Sequence, residues 1–277
     1  MIQPREIYPS PAVQFVIFEL KYPTAMFLEK PDGREAIYER LSEAFPLLQT
    51  VNTVQLPFAT GGGPIGAGLA GLPSAGSAIR MLNRDRSRSA TLGPTSLQME
   101  ISIYEGFEDF AASIRQVLQA IAEVGIVQGV ERLSLRYIDE IRIPGVEDAP
   151  GWAAYIDERL LGPGLFPAFR AQATDVTAQY ELGDGLSLHL RAAAMPADAQ
   201  PAVSPAGPLR LRRSGSGPYF LLDTTGAWTL TSGEVPRFIV DDVLQLSEHL
   251  HDPLHRLFEQ SITERLRDEV LRRESHE

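Results

Sequence analysis

Alternation of apolar and polar residues is clearest in "RLSLRYIDEIRIP" (132–144). A strand there places Arg132, Arg136, Glu140 and Arg142 on one face. Its other face carries Leu133, Leu135, Tyr137, Ile141 and Ile143, with Asp139 as one carboxylate among them. "AVQFVIFELKYP" (12–23), β-branched and aromatic and closed by a proline, reads as a second strand. "DGREAIYERLSEAFP" (32–46) has helical spacing, with Asp32 as N-cap and Ile37, Leu41 and Phe45 on one face.

Further along, "TVNTVQLPF" (50–58) reads as a short strand, and two more are expected near 78–91 and 95–104. Between them lies a Gly/Pro/Ala/Ser loop, 59–78, without usable period. "YEGFEDFAASIRQVLQAIAEVG" (104–125) sets Phe107, Phe110, Ile114, Leu118 and Ile121 at helical spacing and stops at Gly125. "GWAAYIDERLLGPG" (151–164) suggests a short helix. Residues 169–195 read as a hairpin turned by "GDG", because glycine supplies the positive φ such turns need. The stretch 196–218 is a polar Pro/Gly loop, and "YFLLDTTGAWTL" (219–230) is a strand. Two helical segments end the sequence, 240–251 and 252–273, with Asp252 as N-cap and Pro253 in the first turn of the second.

The two halves share an order. "ELKYP" (19–23) answers "EIRIP" (140–144), and "AIYERL" (36–41) answers "AAYIDERL" (153–160). The expected fold is therefore α+β and two-lobed, an internal duplication of a β-α-β-β-β-α unit with antiparallel sheets. The lobes are residues 1–127 and 128–277, the second ending in a long kinked helix.

Composition narrows the chemistry. The 277 residues are enough for one large domain or two ordinary ones. With no cysteine, disulfides, thiolate metal sites and Cys nucleophiles are excluded. The start lacks a basic region followed by an apolar run, and no apolar run of about 18 residues occurs, so neither secretion nor membrane insertion is expected and the cytoplasm is the default. The formal net charge of −11 disfavours indiscriminate binding to nucleic acid or anionic lipid. Among the 25 basic residues only Lys21 and Lys30 are lysines, a bias that fits a GC-rich genome or bidentate anion recognition.

Motifs with catalytic associations are weak. "GAGLAG" (Gly66, Gly68, Gly71) matches the dinucleotide fingerprint, yet it sits in a loop between Pro64 and Pro73 with no helix pattern after it. No Walker loop and no G-x-S-x-G elbow are present. His251, His255 and Glu259 fall on one helical face at i, i+4 and i+8, the weak candidates for a metal; the plainer reading is a packed helix. No catalytic residue, metal or cofactor is assigned. Two arginine groups remain. One is Arg80, Arg84, Arg86 and Arg88, of which alternation in "RDRSR" would bring Arg84, Arg86 and Arg88 to one strand face; the other is Arg132, Arg136 and Arg142. Adjacent strands could merge them into a phosphate-binding or partner-binding surface, with Tyr104 or Tyr137 nearby. The plainer reading makes them outer faces with Arg136 ion-paired to a neighbour. Asp139 reads first as a strand-end or bulge position, and otherwise as a polar site between lobes.

Four segments carry a resemblance. "PAVQFVIFELKYP" (11–23), "YEGFEDF" (104–110), "RLSLRYIDEIRIP" (132–144) and "LHDPLHRLFEQSIT" (250–263) resemble the hallmarks of a sporadically distributed bacterial family of unknown function. Those hallmarks are P-x-V with E-[IL]-[RK]-[FY]-P, Y-x-x-W-x-x-F, L-R-Y-[IV]-[ND]-x-I, and L-H with F-E-x-x-I-T. Ser134, Asp139, Phe107 and Lys21 depart mildly, from glycine, asparagine, tryptophan and arginine. A polar residue at 139 then implies a local backbone cap at the strand's bend. The resemblance supplies no reaction, and patchy distribution implies mobile, defence or toxin–antitoxin loci. The expected function is non-catalytic recognition of a macromolecule, above all a protein. Nucleic-acid binding on the arginine strands is the alternative, and a metal-dependent hydrolase using His251, His255 and Glu259 the second. Oligomeric state is left open.

Overall fold

The computed structural model describes residues 6–50, 78–166, 168, 169, 171, 173–200, 202, 209–211 and 216–273. The strand expected over 51–58 and the loop 59–77 with "GAGLAG" lie outside the described residues, as does much of 201–215. The fold is α+β. Among the described residues, nine strands form one sheet in which every neighbouring pair is antiparallel.

The strands are β1 (Val13–Lys21), β2 (Leu47–Thr50), β3 (Ile79–Leu82), β4 (Arg88–Leu92), β5 (Ser96–Ile101), β6 (Arg132–Ile141), β7 (Thr174–Gly183), β8 (Leu186–Met195) and β9 (Tyr219–Thr229). Their order is β2-β3-β4-β5-β1-β6-β9-β8-β7. Instead of two sheets, the halves share one, joined where β1 pairs with β6 from Lys21–Arg132 to Val13–Asp139. Outward from β1 and β6, which open their halves, the remaining strands follow in reverse chain order, β5 to β2 on one side and β9 to β7 on the other.

One face of the sheet is covered by helices α1 (Pro31–Leu41), α2 (Phe107–Val124) and α4 (Val240–Ser261). Their apolar stripes meet Val16, Phe18 and Leu20 of β1 and Leu133 and Leu135 of β6, all buried. The five α2 residues read as one face are all buried, and Gly125 ends the helix in the left-handed region at φ 69. A second apolar cluster packs α3 (Ala149–Trp152) and α5 (Glu264–Leu266) on the outer ends of β6, β8 and β9, with Trp152 against Phe220. On the face away from the helices, Phe15, Ile17, Ile138, Tyr219 and Leu221 form a third cluster with Leu209.

Four expectations are corrected. The region 78–91 is a hairpin, not one strand: Asn83 Oδ1 accepts from the Arg88 N–H and Asp85 Oδ1 from the Ser87 N–H and hydroxyl, folding 83–87 into a turn with Arg86 at φ 58. Residues 151–164 form the end of α3 followed by two 3-10 turns. Lys30, not Asp32, precedes α1, which starts at Pro31. Finally, α4 runs unbroken through Asp252 and Pro253 and breaks only at Ile262, before Thr263 caps α5 through the Leu266 N–H. Proline removes the bond to the carbonyl of residue 249, and position 249 is exposed, so water can serve that carbonyl while Leu250, His251 and Leu254 stay packed.

The β7–β8 turn gives one prediction. Gly185 has φ 78, and a Cβ there would lie 2.3 Å from the Thr229 carbonyl oxygen; Gly183 has φ 85 but open space around it. Gly185→Ala is expected to lower unfolding free energy by about 2 kcal/mol or more, and Gly183→Ala by about 1. Urea titrations of the two variants check this; equal losses would contradict it.

Candidate functional site

The arginines proposed as a binding surface occupy three different places. Arg84 and Arg86 are exposed in the β3–β4 turn and share no strand face with Arg88. Arg88 points to the helix side, where its Nη2 donates to Asp109 Oδ2 at 2.7 Å and its Nη1 to the Ser113 hydroxyl at 2.5 Å. Asp109 is thus a strut partner between β4 and α2, not merely solvated helix surface. Arg132 and Arg136 lie on the opposite, helix-free face of the sheet. The two groups therefore do not merge, and Tyr137 and Tyr104 pack edge to face on the helix side, away from Arg132 and Arg136.

On the helix-free face these arginines meet carboxylates from the same sheet face. Arg136 forks onto Asp223 of β9, Nε to Oδ1 at 2.7 Å and Nη2 to Oδ2 at 2.5 Å. One strand further out, Arg191 of β8 forks onto Asp175 of β7. Towards the other end, Arg132 and Lys21 flank Glu19 at 3.3 and 3.9 Å, and Arg80 of β3 binds Glu100 of β5, which also accepts from Ser89 at 2.5 Å and Gln98 at 3.1 Å. Arg142 holds Glu140 at 2.8 Å and lies over the Tyr219 ring, while Glu140 Oε2 accepts from the Ala202 N–H. Burial, with Glu140 beside it, pushes the Tyr219 phenol up to about 12. Glu19, Glu100, Glu140 and Asp223 are all buried. This is a paired belt whose arginine donors are turned inward onto carboxylates.

Asp139 is on the helix side, in phase with Tyr137 and Ile141, so alternation in β6 does not slip. The irregularity is in β1: Val13 pairs with Asp139 and Phe15 with Ile138, leaving Gln14 as the extra residue. Gln14 is buried, and its Oε1 has no hydrogen-bond partner among the described residues. Burial, reinforced by the Asp223 carboxylate on the next strand, pushes the Asp139 carboxyl up to about 8.

His251 and Glu259 engage different partners. The His251 ring stacks on Phe107 with centroids 4.2 Å apart, and its Nδ1 lies 2.9 Å from the Tyr137 hydroxyl. Glu259 instead accepts from the Tyr8 hydroxyl at 2.9 Å and from Arg267 at 3.0 Å. Among the described residues, no three His, Asp or Glu side chains are grouped to hold a metal ion. This face of α4 is a packed seam, with His251 serving the core and Glu259 tying the N-terminal segment to the last turns. A cleft of about 320 Å³ opens between the β3–β4 turn and α2, lined by Asn83, Asp85, Ser87, Arg88, Glu105 and Gln116 among others. Its two acidic walls surround an arginine already held by Asp109.

One uncovered edge is not singled out by the sequence pattern. β7 ends the sheet, and among the described residues its only strand neighbour is β8. Tyr180 is 43% exposed and Leu182 48%. The carboxylate partners Glu19, Glu100, Asp175 and Asp223 were also not anticipated; "TDVTAQYEL" alternates visibly, but which strand ends the sheet depends on pairings far apart in sequence.

Among the described residues no helix is long and apolar enough to cross a membrane. No protein-family model matches the chain, and no similar protein is found among curated proteins.

Proposed function

We propose that this chain is a non-catalytic recognition component that binds a protein partner in the cytoplasm. The observation that carries the reading is the long edge of β7, open among the described residues, with exposed Tyr180 and Leu182, beside a belt of paired charges. The four hallmark segments favour a mobile, defence or toxin–antitoxin setting. The mirrored strand order about the β1–β6 seam favours two duplicated lobes, 1–127 and 128–277. In a pull-down of the tagged chain from its host, with and without nuclease, a stoichiometric protein partner resistant to nuclease and to salt is expected. A chain that stays alone at physiological concentration beside its neighbouring gene products would overturn the reading.

A second reading has one observation in its favour. Arg84 and Arg86 are exposed, without an ion pair among the described residues, and the Arg86 carbonyl accepts from the Arg210 N–H of another exposed arginine. Nucleic-acid binding there would show partners lost on nuclease treatment and an affinity falling steeply with salt. It is discarded if replacing Arg84 and Arg86 with Ala changes nothing.

A further inference from the structure

The two edges of the sheet are built differently. Among the described residues β2 has four, whereas β7 has ten. Short edge strands, prolines and lysines are the usual means of keeping a sheet edge from pairing with another chain. β7, "TDVTAQYELG", contains no Lys, Arg or Pro. Its residues sort cleanly by face. Asp175, Thr177 and Gln179 share the face of Ala193, Arg191 and His189, whereas Val176, Ala178 and Tyr180 share that of Ala192, Leu190 and Leu188. A register irregularity between Glu181 and Gly183 exposes Leu182 at the end of the apolar row. One face of the edge is thus polar and the other apolar and half uncovered.

Charge decides what fits. Asp175 is neutralised by Arg191, and Arg159, which lies near Tyr180, is held by Asp157 at 2.7 Å. Glu181 and Asp184 are exposed and have no ion pair among the described residues. The free field at this end of the edge is therefore negative, on a chain of net charge −11. A second copy is a poor occupant. β7 itself carries no lysine or arginine to set beside Glu181, and in the antiparallel register centred on Ala178, one of the two longest that keep the faces matched, Asp175 of each copy would lie opposite Glu181 of the other. Like charges directly opposite destabilise a strand pair.

We infer that β7 accepts an extended segment of a partner protein that alternates basic and apolar residues and adds to the sheet as a further strand. Main-chain hydrogen bonds along β7 supply affinity, lysine or arginine beside Glu181 supplies direction, and apolar side chains cover Tyr180 and Leu182. This rests on the protein-binding reading and specifies its site and partner chemistry.

The test uses the full-length, nitrogen-15-labelled chain and a capped peptide alternating lysine and valine, against the same peptide with glutamate for lysine. Amide shift changes and slowed exchange confined to β7 are expected with the lysine peptide, at an affinity roughly tenfold or more above that of the glutamate peptide. Tyr180→Lys and Glu181→Lys, both at exposed positions, should each weaken binding by a similar factor while amide spectra elsewhere stay unchanged. Equal binding of both peptides, changes centred away from β7, or a wild-type dimer abolished by Tyr180→Lys would each overturn the inference. A stoichiometric partner in the pull-down that is indifferent to Tyr180→Lys would also overturn it while leaving protein binding intact; absence of any partner would remove the broader reading.

Discussion

Asp139→Asn is expected to stabilise the protein increasingly as pH rises from 4 to 8. The Asp139 carboxyl has an ordinary value of 3.8 and is pushed up to about 8 in the fold, first by burial and then by the Asp223 carboxylate. Below pH 4 both folded and unfolded chains hold the proton, and ionisation contributes nothing. Between 4 and 8 the unfolded chain releases it while the folded chain keeps it, so the unfolded state binds fewer protons and stability falls with pH. The slope is about 1.4 kcal/mol per pH unit. Asparagine has nearly the same shape and does not ionise, so the variant lacks this loss. The difference in unfolding free energy between variant and wild type, from urea titrations at pH 5, 6, 7 and 8, should therefore climb steadily and flatten above 8. A difference that stays constant would mean that Asp139 ionises in the fold as it does in the unfolded chain.

That carboxylate shows what the sequence does and does not disclose. The period-two pattern of 132–144 places Asp139 on the apolar face, and the fold keeps it there. The cause of the irregularity beside it was out of reach, because the extra residue, Gln14, belongs to a strand over a hundred residues earlier. Local periodicity reports which way a side chain points, and not what stands opposite. The same limit explains the arginines. Arg132 and Arg136 were assigned the correct common face, but their partners Glu19 and Asp223 come from β1 and β9, and only the sheet order makes them neighbours.

Where the reading failed locally, side-chain chemistry had overridden pattern. "NRDRSR" looks like an alternating strand because it lacks glycine and proline, yet Asn83 and Asp85 accept backbone N–H groups and close a turn at Arg86. Pro253 looked like the first turn of a new helix, but packing of Leu250, His251 and Leu254 carries α4 through it. Helical spacing aligns His251, His255 and Glu259, but tertiary partners decide their roles: Tyr137 and Phe107 engage the first and Tyr8 and Arg267 the last. The edge position of β7 is a property of the whole sheet, so no window of sequence contains it.

Breaking the Arg136–Asp223 pair should cost more than any surface ion pair. Exposed pairs contribute about 0–1 kcal/mol, whereas removing one member of a buried pair costs about 3–5. The Asp223 side chain is 12% exposed and that of Arg136 20%, with two donors aligned on two acceptors. Arg136→Ala is therefore expected to lower unfolding free energy by about 3 kcal/mol, and Asp223→Ala by a similar amount. The paired replacement Arg136→Met with Asp223→Leu should come within about 1 kcal/mol of wild type, since it leaves no unpaired charge and keeps the volume. A double-mutant cycle closed with the combined Arg136→Ala, Asp223→Ala variant reads the coupling directly from denaturant titrations, and a value under about 0.5 kcal/mol would show that the pair behaves as wet surface. The cycle also bears on Asp139. In the paired replacement the Asp223 charge is gone, and with it the second of the two causes that hold the Asp139 proton in place. The pH at which the Asp139→Asn advantage levels off should then move below 8, while burial still keeps it well above 4.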